Sequence, residues 1–138
     1  MAEIPANIHK FGYTKATNPE SQNPAPVYTW TEISETGTDI TSQLDDSYAK
    51  RFTQVDIGFE FPFFGKNETS LYIWRYSLLS FDTEGYPWSR SGLTYKWEGL
   101  PDRVISALGF TTTVETSGRI YYQRFPDKFI VQWDNVPV

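Results

Sequence analysis

From residue 52 the chain alternates between apolar and polar positions. Val55, Ile57, Phe59, Phe61 and Phe63 are separated by Gln54, Asp56, Gly58, Glu60 and Pro62. This period of two puts one apolar row on one face of a β-strand. The pattern predicts a strand over 52–64 with Phe59, Phe61 and Phe63 buried together. Pro62 has no N–H to give to a ladder, so the strand must end there or run along a sheet edge. Gly65-Lys66-Asn67 then reads as a turn.

Other stretches carry weaker forms of the same pattern. Val27-Tyr28-Thr29-Trp30-Thr31-Glu32-Ile33 is rich in β-branched and aromatic residues and lies between Pro26 and Gly37, which predicts a strand. In 71–81 the alternation blurs, because Tyr72, Ile73, Trp74, Tyr76, Leu78, Leu79 and Phe81 fall on both faces. Such a strand is either covered on both sides or carries a functional outer face. Residues 104–113, 119–125 and 129–136 predict three further strands. Thr116-Ser117-Gly118 and Pro126-Asp127-Lys128 are connections of hairpin length between them. Apolar spacing of 3.6 residues is not sustained anywhere, and no internal repeat is present. The polar, proline-rich run through Pro19, Pro24 and Pro26 makes 1–26 an extended arm and 27–138 the folded module. A long loop is expected over 82–102.

Composition agrees with an all-β module. Its 138 residues suit a single domain. Aromatics at 17%, with nine Gly and nine Pro, favour short strands joined by turns. The net charge of −5 comes without any Lys/Arg run, so nucleic acid is not an expected partner. No apolar run approaches the length of a membrane helix. Met1 leads straight into polar sequence without a leader pattern. That fits either a cytosolic protein or a domain of a larger secreted precursor.

Candidate chemistry is sparse. The chain has no Cys, and His9, in the arm, is its one histidine. Thiolate chemistry, a histidine relay and a histidine metal site therefore have little to draw on. Carboxylates alone can hydrolyse glycosides, and Asp45, Asp46, Asp82, Glu84, Asp102 and Asp134 are the candidates. Spacing along the chain sets no distance between them in space. Asp45-Asp46 is read as a solvated turn or, more sharply, as part of a Ca²⁺ site with backbone oxygens. Without a base, nucleophile or metal set, the expectation is a module that is not an enzyme and needs no cofactor.

The aromatics divide into two groups. Trp30, Phe59, Phe61, Phe63, Phe81 and Trp133 lie in strand patterns and are expected in the core. Tyr86, Trp88, Tyr95 and Trp97 lie in the long loop among Gly85, Pro87, Ser89, Arg90, Lys96 and Glu98. Rings in such a loop either stack on a sugar or a protein partner, or pin the loop to the sandwich.

One stretch resembles a known signature. Ile57-Gly58-Phe59-Glu60-Phe61-Pro62-Phe63-Phe64-Gly65 is similar to the "GFxFPFYG" run of a β-sandwich module in bacterial and archaeal secreted proteins, nidogen-like domains and plexin-domain-containing extracellular regions. Tyr28, Trp30, Ile33, Gly37 and Thr38 resemble that module's opening. Leu44-Asp45-Asp46, then 104–108, then 129–136 match later pieces in order.

The resemblance implies an extracellular or cell-surface setting and no catalytic residues. Two departures stand out. A small Asn-Gly turn expected after Ile73 is replaced by Trp74-Arg75-Tyr76-Ser77, which makes Trp74, Arg75 and Tyr76 candidates for a contact surface. Relatives also continue beyond the strand containing Trp133, so the resemblance implies missing final strands. The exposed edge would be covered by a second chain supplying them, a swapped copy, or the N-terminal arm; alternatively 27–138 closes by itself.

Together these readings predict an all-β, antiparallel two-sheet β-sandwich, jelly-roll-like and short of its last strands. It is expected to be a non-catalytic extracellular accessory or adhesion module binding carbohydrate or a cell-surface ligand. The alternative is a spacer or protein-interaction domain beside a secreted enzyme.

Overall fold

The computed structural model describes residues 29–45, 50–82, 103–107 and 117–136. They form two antiparallel sheets packed as a β-sandwich. The strands are β1 (Thr38–Asp39), β2 (Phe52–Phe63), β3 (Lys66–Trp74), β4 (Leu78–Ser80), β5 (Val104–Ser106), β6 (Arg119–Arg124) and β7 (Phe129–Asp134). A 3-10 turn, Thr41–Gln43, follows β1. One sheet has the order β1-β6-β7 and the other β2-β3-β4-β5.

The alternating run is β2. Val55, Ile57 and Phe63 are buried, and Phe59 and Phe61 pack against the same core, while Gln54, Asp56, Gly58, Glu60 and Pro62 are exposed. Phe63 meets Phe81 at 4.6 Å between ring centroids, and Phe61 stacks on Phe81 at 5.9 Å. Ile40 and Leu44 from the segment after β1, Leu71 and Ile73 from β3, and Ile120 from β6 complete the core. Pro62 sits at the end of β2, which is an edge strand, so both positions open to a strand proline are met at once.

β2 is not regular throughout. Asp56 pairs with Ser70, but the next pair is Phe61 with Glu68, so residues 57–60 stand against Thr69 alone. Gly58 takes φ 90 within this bulge, a conformation that a side chain rarely adopts. Residues paired across a ladder share a face, so beyond the bulge Glu68 faces the side of Phe61. There it meets the guanidinium of Arg103, which also reaches Asp82 at 3.3 Å and the Phe81 carbonyl at 3.2 Å. This clasp ties β3, the end of β4 and β5 together.

The turn after β2 lies one residue earlier than expected. Phe64 and Gly65 both have positive φ (46 and 78), and Phe63 pairs with Lys66. A two-residue hairpin loop needs this handedness to follow the strand twist. The apolar run 71–81 is two strands rather than one. Arg75, Tyr76 and Ser77 close a hairpin between Trp74 and Leu78, with Ser77 at φ 58. The blurred alternation is the pattern of a chain that doubles back. Ile73 and Trp74, on opposite faces, are both buried, so this sheet is covered on both sides at that point.

Residues 29–33 depart from expectation. They are extended but join no ladder, and they approach β7 through side-chain bonds, with Gln132 at the centre.

Candidate functional site

Gln132 lies on the face of β7 that points away from the core, yet only 4% of it is exposed. A buried amide needs partners for both of its ends. Its Oε1 accepts the Ile33 N–H at 3.1 Å, and its Nε2 donates to Glu32 Oε1 at 2.6 Å. The strap 29–33 is thereby held to the sheet by one side chain, and Ile33 is fully buried. Beyond it the chain turns sharply, with the Gly37 N–H donating to the Ile33 carbonyl at 2.7 Å. A Cβ at Gly37 would stand 2.7 Å from that same oxygen and 3.1 Å from the Tyr122 carbonyl, so the position has room only for glycine. The Ile33 and Gly37 of the opening motif and the Gln132 of the closing one form one fastening.

Glu32 is the second half of that fastening. Its carboxylate accepts from Gln132, from the Ser34 N–H at 2.9 Å, and from Trp30 Nε1 at 3.0 Å. These donors favour the ionised form, Gln132 most of all, and hold its pKa at about 2. The Trp30 ring is therefore fixed at its nitrogen while 62% of the residue faces solvent.

This corrects the expectation that Trp30 belongs to the core. In an extended segment Trp30 shares its side with Glu32, whereas Ile33 takes the opposite side and is the residue that buries. The signal was present in the sequence as the polar neighbours Thr29, Thr31 and Glu32. Trp133, by contrast, packs against the core and donates from Nε1 to the Trp74 carbonyl at 3.1 Å, linking the two sheets.

Between the strap and β7 runs an open groove of about 300 Å³. Thr29, Trp30 and Thr31 form one wall, Lys128, Ile130 and Val131 the other, and Gln132 adjoins them. Lys128 Nζ stands 3.4 Å from Thr31 Oγ1 and 4.8 Å from the centre of the Phe125 ring. The groove offers an anchored indole, two hydroxyls, an ammonium group and the apolar side chain of Ile130. That set can stack on a ligand's flat apolar face and hydrogen-bond its rim.

The other candidates fare differently. Trp74 and Arg75 are each only 1% exposed and Tyr76 is half-buried, with the Arg75 guanidinium 5.4 Å from the Tyr76 ring. Trp74 donates to Ser80 Oγ at 2.7 Å. The exposed contact surface expected of Trp74 and Arg75 is not what this hairpin presents, because both side chains are turned into the protein. Asp45 is half-buried, 3.5 Å from Lys50 Nζ, and its N–H donates to the Lys50 carbonyl at 2.8 Å. Among the described residues no three His, Asp or Glu side chains gather as a metal site would require. Asp46, Tyr86, Trp88, Tyr95, Trp97 and His9 lie outside the described residues.

Comparison with protein-family models, with curated proteins and with solved structures finds no match to this chain.

Proposed function

We propose that this chain is a non-catalytic binding module of an extracellular or cell-surface protein, taking a carbohydrate or a surface ligand in the Trp30 groove. The observation that carries this reading is the exposure of Trp30. A large ring left 62% open to water costs favourable burial, yet this one is pinned at its nitrogen by Glu32 rather than left free. A fixed, exposed indole loses little freedom when a ligand stacks on it. Thr29, Thr31 and Lys128 supply polar groups at the rim, as a sugar's hydroxyls would need. The GFEFPFFG run, similar to that of secreted modules, supports the extracellular setting. The loop rings Trp88, Trp97, Tyr86 and Tyr95 are proposed as a further part of the ligand surface.

A glycan array probed with the purified chain tests the reading. Binding to a defined glycan class, lost in Trp30→Ala while the melting temperature stays put, is the expected result. Equal signals from the two proteins would remove Trp30 from the site.

A second reading, a protein-interaction module, is favoured by a separate observation: the main-chain groups along the outer edge of β7.

A further inference from the structure

Among the described residues, the four sheet edges are not alike. β1 has two residues and β5 has three, too short to template much pairing. β2 is long but blunted. Its bulge at 57–60 bends it, Pro62 removes a donor, Asp56 and Glu60 are exposed charges, and Arg124 Nε occupies the Asp56 carbonyl at 2.6 Å. These are the devices that keep an edge from pairing with another chain. β7 has no bulge and no proline, and its one charge, Asp134, stands at its end. Its register with β6 runs without a shift from Arg119–Asp134 to Arg124–Phe129. Phe129-Ile130-Val131-Gln132-Trp133 contains no charge, no proline and no glycine.

The register also says which groups face outward. The Phe125 N–H donates to the Lys128 carbonyl at 2.9 Å across the hairpin. In the alternation of an antiparallel ladder, Ile130, Gln132 and Asp134 then bond to β6, and the N–H and C=O of Phe129, Val131 and Trp133 point away from it. Among the described residues no main-chain group meets them.

We infer that β7 pairs antiparallel with β7 of a second copy of this chain, about a two-fold axis through Val131. The strand is complementary to its own reverse. Centred on Val131, Phe129 falls opposite Trp133 of the second copy, and Ile130 opposite Gln132. Lys128 falls opposite Asp134, so cation meets anion at both ends. The outward groups of Phe129, Val131 and Trp133 are those such a ladder uses. Aromatic pairs and opposite charges directly across a ladder each stabilise it. The two-fold stands perpendicular to the sheet, so the core-facing side chains of both copies stay on one side. The sheet becomes β1-β6-β7-β7-β6-β1. Self-complementarity of one patch is what a two-fold interface requires.

Sedimentation velocity of the full 138-residue chain over a dilution series tests this, with circular dichroism as the check on folding. The wild type is expected to sediment as a dimer that dissociates on dilution. Lys128→Asp sets two pairs of like charges at the ends of the junction and is expected to weaken the dimer about ten-fold. Lys128→Asp with Asp134→Lys restores the opposite charges and should restore the dimer. Val131→Pro removes an outward donor without touching a bond to β6, and is expected to give a folded monomer. A wild type that is monomeric throughout would overturn the inference, as would a double variant no better than the single one. A monomer with a slowly exchanging Val131 amide would show instead that the chain's own arm covers the edge.

Discussion

Gln132 and Ile33, ninety-nine residues apart, are joined by a bond that replaces a strand pairing: the Gln132 Oε1 accepts the Ile33 N–H at 3.1 Å. The same amide donates to Glu32. One side chain thus does for the strap 29–33 what a neighbouring main chain does for a strand. Gln132→Leu keeps the volume and loses both bonds, leaving the Ile33 N–H without its acceptor. The expected cost is about 1–3 kcal/mol, the penalty for stranding a buried donor. A urea titration followed by circular dichroism measures it, and the tryptophan emission should show the strap loosening.

Glu32 makes the same fastening sensitive to acid. Its pKa is about 2 in the folded protein against an ordinary 4.5, so the folded state binds its proton less readily than the unfolded chain does. The stabilisation this gives is fully present above pH 4.5 and is lost as the pH falls toward 2. Melting temperatures of the wild type should drop through that window more steeply than those of Glu32→Gln, which has no charge to lose. Matching slopes for the two proteins would show that Glu32 is not held in this way.

The core makes a graded prediction along β2. Phe63 is buried against Phe81, whereas Phe61 is only partly covered. Phe63→Ala should cost about 3–5 kcal/mol, the range for removing a buried ring. Phe61→Ala should cost clearly less, because part of its surface is already in water. Equal losses in equilibrium unfolding would mean that the two rings are equally enclosed.

How much of this was legible in the sequence depends on how local the cause was. The face of β2, the β6–β7 hairpin and the edge position marked by Pro62 follow from period-two patterns and turn residues, and the structure has them. The bulge at 57–60 left the alternation of β2 intact and showed only in its pairing with β3, which no single strand's pattern contains. The residue pattern hides the hairpin at Arg75–Ser77, because its αL residue is Ser77 rather than glycine, and only the resemblance sets a turn after Ile73. The strand composition of its segment points Trp30 to the core. Composition does not say whether a ladder partner exists, and here the partner is the side chain of Gln132. Nearness of Glu32 to Trp30 was visible, but the bond that fixes the ring required Gln132 and Ser34 as well.

If Trp30 is the centre of the proposed ligand surface, its indole N–H reports on binding directly. The nuclear magnetic resonance signal of Trp30 Nε1–H, assigned by its loss in Trp30→Ala, can be followed while a glycan that binds on the array is added. This signal is expected to shift and saturate with the bound fraction, while the Trp133 Nε1–H, donated to the Trp74 carbonyl between the sheets, stays where it is. A bound glycan that leaves the Trp30 signal unmoved would contradict the proposed role of Trp30.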